Sequence, residues 1–269
     1  SSEFVFRPKR VRAGDYTFSI GKAGSTSLVL QGVLAPLMLA DAPSTVALEG
    51  GTHNPAAPPF DFLARAYAPL VERMGPRVEL TLHRAGFFPA GGGRVGVAIE
   101  PIDALEPFDL AERGALVRVA ARAAVANLPY SIAEREAAVL ASRLPEAADD
   151  VRAETIAGSH GPGNVVTVEV ESEHATEVFT GFGARGVPAE QVAARAAGEA
   201  RQYLDARVAV GEHLADQLVL LMALAGEGEF TTVEPSSHTR TNVDVIRRFL
   251  DVAIDFRQDE DGVWAVRVT

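Results

Sequence analysis

The chain has 269 residues, a formal net charge of −11 and no cysteine, so disulfides, thiolate metal sites and cysteine catalysis are excluded. A chain without cysteine fits a reducing compartment, and we expect this one to be cytoplasmic. The longest apolar stretch, Leu28–Ala40, contains Gln31 and Pro36 and is too short to span a bilayer, so no membrane partner is expected.

The N-terminal part of the chain alternates between strand-like and helix-like segments. Two helices are predicted, Ser25–Ala40 and Phe60–Met74; Ser and Thr open the first, and Pro59 suits the first turn of the second. The predicted strands around them are Tyr16–Ile20, Ser44–Leu48, Val78–His83 and Arg94–Glu100. The order β-α-β-α-β-β predicts a sheet with two helices packed on one face.

After a proline-containing connector, the middle section has helices and strands of its own. Ser131–Leu144 and Pro188–Arg207 are predicted helices. The predicted strands are Ala115–Ala126, Val151–Ile156, Val165–Glu171 and Thr176–Phe182. We therefore expect an inserted domain at residues 114–206, within a larger discontinuous domain formed by residues 1–113 and 207–269.

The C-terminal part repeats the alternation less clearly. The apolar residues of Val208–Ala225 have helical spacing. The predicted segments that follow are the strand Glu229–Val233, a polar loop at Pro235–Asn242, the helix Val243–Leu250 and the strands Val252–Phe256 and Val263–Val268. This order resembles a second, partial copy of the first unit.

His238 is the first candidate catalytic residue, because hydroxyl side chains flank it in the predicted polar loop and Arg240 is close in sequence. A neutral imidazole is a good nucleophile, and an adjacent cation with loop amides can hold phosphate oxygens. On the residues alone, the more common interpretation is a surface loop whose Ser and Thr side chains cap the next helix.

His213, Asp216 and Gln217 form a second polar group within an otherwise apolar helical pattern. Residues three and four apart share one helix face, so these side chains are expected to lie together. With His238 they could suggest a metal site, but no ligand motif supports one, and we expect no protein metal ligands among them. Carboxylate and amide groups are better suited to holding ribose hydroxyls.

Six segments, in this order along the whole chain, resemble the RNA 3′-terminal phosphate cyclase family. They are Gly24–Gln31, Glu49–Pro55, Ala57–Phe62, Gly86–Gly93, His213–Gln217 and Pro235–Asn242. The resemblance implies an α+β fold, with a large domain of repeated β-α-β-α-β-β units and a smaller inserted α/β domain.

The resemblance also implies a reaction that uses ATP and a divalent metal, Mg or Mn. A histidine takes AMP from ATP, AMP passes to an RNA 3′-phosphate, and the vicinal 2′-hydroxyl closes a 2′,3′-cyclic phosphate. His238 matches the adenylylated histidine. The matches to nucleotide contacts are Gln31, the apolar walls Pro58 and Phe62, Phe179 over the base, and the segment His213, Leu214, Ala215, Asp216 and Gln217.

Two features depart from the family pattern. His213 stands where a tyrosine is usual. The chain also starts abruptly, with Ser1–Arg7 leading directly into a strand-like segment where the family's first unit is ending. We therefore expect the N-terminal module, which carries a glycine-rich motif, a metal-binding glutamate and RNA-gripping arginines, to be missing.

The expected partner is RNA with a 3′-terminal phosphate, although a net charge of −11 repels nucleic acid at long range. Association into a homodimer is also open. Two alternatives to the enzyme remain: a non-catalytic cyclase-like factor in RNA processing or ribosome assembly, and a truncated form that only binds nucleotide.

Overall fold

A computed structural model describes residues 5–269. Ser1, Ser2, Glu3 and Phe4, which belong to the segment predicted to lead into the first strand, lie outside the described residues, and the first described strand begins at Asp15. The first sheet contains β1 (Asp15–Ser19), β2 (Ser44–Gly50), β3 (Arg77–Arg84) and β4 (Gly93–Glu100) in the order β1-β2-β4-β3. β1 is parallel to β2, and the other pairs are antiparallel.

The helices of this first unit follow from its capping and packing residues. α1 (Thr26–Met38) begins where the Ser25 side chain accepts a hydrogen bond from the Leu28 amide, which satisfies one of the unpaired donors of a first turn. The second predicted helix is continuous but changes its winding: α2 (Phe60–Phe62) passes through a π-helical turn (Leu63–Tyr67) into α3 (Ala68–Glu72).

The middle section forms a separate sheet after the two-residue strand β5 (Asp109–Leu110). Its strands, in the order β7-β6-β8-β9, are β6 (Leu116–Ala126), β7 (Val151–Thr155), β8 (Gly163–Ser172) and β9 (Thr176–Phe182). Two helices, α4 (Ser131–Arg143) and α5 (Ala189–Asp205), pack on it over a core made mostly of valine and alanine, and a 3₁₀ turn (Pro145–Asp150) follows α4. The domain limits at residues 114 and 206 stay a prediction.

The third sheet completes a second copy of the first unit. Its chain order is β5, α6 (Glu212–Ala225), β10 (Gly228–Thr232), α7 (Ser237–Ile246), β11 (Ile254–Gln258) and β12 (Trp264–Val268), with β6 to β9 inserted after β5. β5 is parallel to β10, and β12 pairs antiparallel with both β10 and β11. This is the pairing of β1, β2, β4 and β3, so the sheet of the second unit has the connectivity of the first.

One continuous core joins the two units, because side chains from both sheets and from α1, α6 and α7 belong to the same buried cluster. The α+β class with repeated β-α-β-α-β-β units is therefore confirmed. Among the residues from 5 onward, the structure has no helix with both the length and the apolar character that crossing a membrane requires.

Two sequence predictions near the C-terminus are wrong. Pro235–Asn242 is not a loop throughout, because α7 begins at Ser237, where Ser236 accepts a hydrogen bond from the Thr239 amide, and not at Val243. The other helix begins at Glu212 and not at Val208; the residue Val210 is instead bridged in parallel to Thr232 of β10.

Candidate active site

The two helices of the second unit bring the predicted nucleophile and the predicted ribose-binding segment together. α6 and α7 pack against each other. His238 is exposed in the first turn of α7, and Asn242 follows it one turn later on the same face. The Asn242 side chain donates a hydrogen bond to the backbone carbonyl of Asp216 in α6, over 3.1 Å. The start of α7 is therefore fixed to the segment His213–Gln217.

Asp216 faces both candidate histidines. Its burial raises the pKa of the carboxyl above the usual value, while the nearby Asn242 amide and electrostatic interactions with His238 and His213 act in the opposite direction. The Oδ1 atom of Asp216 is buried without a hydrogen-bond partner. A buried acceptor of this kind carries a desolvation cost that a ligand hydroxyl can relieve.

Gln31 and Gln217 meet across the two units. The Gln31 Nε2 donates to the Gln217 Oε1, which joins α1 to α6. Each glutamine lies six residues beyond the N-cap residue of its helix, Ser25 or Gly211, so the contact links equivalent positions of the repeated units. The two residues are 186 positions apart in the sequence, and this hydrogen bond places Gln31 beside Gln217 in the N-terminal half of α6.

The first turn of α7 also supplies an electrostatic environment suited to a phosphate. The N-terminus of a helix carries partial positive charge and directs backbone amides outward, which favours anions. In the first unit the equivalent first turn, at Asp61 of α2, is occupied by a carboxylate that is 7% exposed and bound by Arg122 at 3.1 Å. Of the two units, only the second presents an exposed imidazole at this position.

Arg240 has a structural role that the sequence did not predict. Its Nε donates to the Pro235 carbonyl at 3.1 Å. The guanidinium carbon lies 5.3 Å from the ring centre of Phe256 and 5.4 Å from that of Trp264. Arg240 therefore holds the start of α7 against the third sheet through a hydrogen bond and cation–π contacts.

The predicted base-binding residues lie on elements that pack together. α2, which carries Phe62, contacts β9, which carries Phe179. Phe62 is only 3% exposed within the main core, whereas Pro58 and Phe179 are half-buried. The ring of Phe179 packs against that of Tyr203, with 5.6 Å between centres. Pro58 and Phe179 are the members of this group with accessible surface.

Leu214 and Ala215 differ from their polar neighbours. Their side chains are 0% and 1% exposed and belong to the main core, so only their backbone atoms are available to a ligand. His213 is exposed beside Glu199 of α5, with which it interacts electrostatically.

Sequence reasoning missed Asn242 as a site residue, although its spacing of four from His238 in a helix would have placed both on one face.

No group of three histidine, aspartate or glutamate side chains within residues 5–269 has an arrangement suited to a metal ion.

Comparison with known proteins gives one consistent result. The family model for RNA 3′-terminal phosphate cyclase matches residues 1–256. A Koribacter versatilis protein of that name is 48% identical over 261 residues, which cover 97% of this chain and 74% of the relative. A Ralstonia nicotianae protein of that name is 51% identical over 263 residues, 97% of this chain and 75% of the relative. A Salmonella typhimurium protein of that name is 46% identical over 269 residues, 100% of this chain and 78% of the relative.

Proposed function

This chain belongs to the RNA 3′-terminal phosphate cyclase family, and from that premise we propose that it is an ATP-dependent cyclase acting through a His238–AMP intermediate. The observation that carries the proposal is the exposed His238 in the first turn of α7, fixed by Asn242 to the half-buried Asp216 of α6. The location proposed for this activity is the cytoplasm.

The proposed reaction has three transfers. A ring nitrogen of His238 attacks the α-phosphorus of ATP, and the bond to the β-phosphate breaks with release of pyrophosphate. The RNA 3′-phosphate then attacks the same phosphorus, and AMP leaves the imidazole. The 2′-hydroxyl finally attacks the activated 3′-phosphate, loses its proton and displaces AMP, which leaves a 2′,3′-cyclic phosphate. Each transfer depends on in-line positioning and charge neutralisation.

The nucleotide contacts are proposed residue by residue. Asp216 and Gln217 hold the ribose hydroxyls, supported by the unpaired Oδ1 of Asp216. Gln31 reaches the same site through Gln217. The remaining proposed contacts are the apolar walls Pro58, Phe62 and Phe179, the side chain of His213, and the backbone of Leu214 and Ala215.

A divalent metal is proposed to enter as part of the metal–ATP substrate, since Mg²⁺ commonly binds through phosphates and water with few protein ligands. No step is assigned to a metal held by the protein, because the described residues offer no suitable ligand cluster.

Labelling with ATP carrying a radioactive α-phosphate tests the proposal. The chain is incubated with this ATP and Mg²⁺ or Mn²⁺, denatured and separated by electrophoresis. We expect an acid-labile labelled adduct. Cleavage after glutamate separates the two candidate histidines, because Glu229 and Glu234 lie between His213 and His238. The Glu234–Pro235 bond resists such cleavage, so His238 is expected in the fragment of residues 230–260. Label on that fragment supports His238, whereas retained ATP binding without any adduct supports a non-catalytic cyclase-like factor.

Asn242→Ala is expected to slow adduct formation by about 10-fold to 100-fold, because a shift of roughly 1 Å in a reacting group can cost that much. The variant loses the hydrogen bond to the Asp216 carbonyl that fixes α7 on α6. Thr241→Ala is the matched control, since its hydroxyl bonds only the Ser237 carbonyl within α7. Rates measured at saturating ATP check the prediction, and equal rates in both variants would contradict it.

A further inference from the structure

Glu177 is a buried carboxyl group that the proposed reaction does not use. It lies on β9 and is 2% exposed. Its Oε1 accepts a hydrogen bond from the backbone amide of Gly211, the N-cap residue of α6. A β-carbon at Gly211 would lie 3.2 Å from that oxygen, so glycine allows the close approach. One side chain of the middle sheet thus fixes the point where α6 begins.

The connection from α5 to α6 is held on both sides of this contact. The Tyr203 hydroxyl donates to the Ala209 carbonyl at 2.8 Å, and the Ala209 amide donates to the Thr231 hydroxyl at 2.9 Å. Arg113 donates to the carbonyls of Tyr203 and Leu204 at 2.6 and 2.8 Å. The last residues before α6 are therefore fixed to both the middle section and the third sheet.

Glu177 and Phe179 are two positions apart on one strand, so their side chains share one face of the sheet. Phe179 packs against Tyr203 on that face, and Glu177 interacts electrostatically with the same tyrosine. β9 therefore carries both the proposed base wall and the anchor for the helix that carries the proposed ribose contacts. The Glu177–Gly211 contact thus links these two parts of the proposed nucleotide site.

We propose that Glu177 is a positioning residue that sets the spacing between Phe179 and the first turns of α6, and so the affinity for ATP. The inference rests on the proposed nucleotide site. It requires a hydrogen-bond acceptor at this position, and a carboxylate, a protonated carboxyl and an amide all supply one. A carboxylate near a helix N-terminus also interacts favourably with the helix dipole.

Three variants separate positioning from general stability. Glu177→Ala removes the acceptor, Glu177→Gln retains it, and Glu190→Ala is a control at an exposed glutamate of α5 that pairs with Arg135. We expect Glu177→Ala to raise the KM for ATP in adduct formation by about 10-fold to 100-fold, with a smaller change in kcat. Glu177→Gln and the control should stay within about threefold of the parent chain, since the acceptor remains.

Gly211→Ala provides the second test, because it keeps Glu177 but places a β-carbon 3.2 Å from its Oε1, a tight contact that disturbs the hydrogen bond to the start of α6. Gly211→Ala should also raise the KM for ATP. This variant tests the proposal even if Glu177→Ala does not fold. An unchanged KM in Gly211→Ala, or an equal increase in Glu177→Gln and Glu177→Ala, overturns the proposal. Equilibrium binding of a non-hydrolysable ATP analogue is measured in parallel. If the parent chain forms no adduct but Glu177→Ala weakens binding of the analogue, the positioning role of Glu177 is supported and the proposed catalytic activity is not.

Discussion

His238→Ala is expected to reduce covalent AMP transfer by roughly 10⁴-fold or more, as removal of a nucleophile typically does. The imidazole is exposed in the first turn of α7 and is not part of the buried core. Truncating an exposed side chain changes the free energy of unfolding by only about 0.5 kcal/mol or less. The variant should therefore fold and still bind ATP through the residues on α1, α6 and β9.

His83→Ala is the matched control for this variant, because His83 is also an exposed histidine but lies on β3. The adduct is measured by electrophoresis after denaturation, and ATP binding by equilibrium dialysis. An adduct that persists in His238→Ala would contradict the assignment and direct attention to His213, which also faces Asp216. Loss of ATP binding together with the adduct would show that the substitution acted on binding as well as on transfer.

The pattern of apolar residues was sufficient to predict most of the first unit. β2 alternates between buried and exposed residues along its whole length, and this is the signature that identifies a strand with one face in the core. The start of α7 was harder, because serine, threonine and asparagine are poor helix formers. Burial of Thr239, Val243 and Ile246 at helical spacing outweighs that preference.

Local sequence patterns could not predict contacts between distant parts of the chain. The strand β5 has only two residues, and its pairing of Asp109 with Glu229 spans the entire middle section. Its short length gives no periodicity, so the second unit looked partial. The hydrogen bond between Gln31 and Gln217 follows from the packing of the two repeats and has no local signal.

The first turns of α2 and α7 occupy equivalent positions in the two repeated units but carry different side chains. At the first, Asp61 is bound by His53 and Arg122, each at 3.1 Å. Although burial alone raises its pKa, the hydrogen bond from His53 and the charge of Arg122 lower the pKa of Asp61 to about 2. The first turn of α2 is therefore held to the middle sheet through Arg122 of β6. At the second, Ser236 caps the helix and His238 is exposed, so the same backbone arrangement presents the proposed nucleophile.

The middle section contains a further buried acid with a consequence for stability. Glu136 of α4 is 0% exposed, and it accepts a hydrogen bond of 2.7 Å from the Asn164 side chain. Burial raises the pKa of Glu136 from 4.5 to about 7, against the lowering effects of Asn164 and Arg135. Between these values the unfolded chain releases the proton while the folded chain keeps it. Stability is therefore lost as the pH rises from 4.5 to 7.

Glu136→Gln is expected to raise the free energy of unfolding by about 2 kcal/mol at pH 8, because the amide stays neutral and still accepts from Asn164. At pH 4 the carboxyl is protonated in both the folded and the unfolded chain, so the variant and the parent should agree. Chemical denaturation at the two pH values, followed by circular dichroism, measures the difference. Glu134→Gln, at an exposed position of the same helix, is the control. An equal gain at pH 4 and pH 8 would mean that Glu136 is not protonated in the folded chain at neutral pH, and that the amide stabilises α4 for another reason.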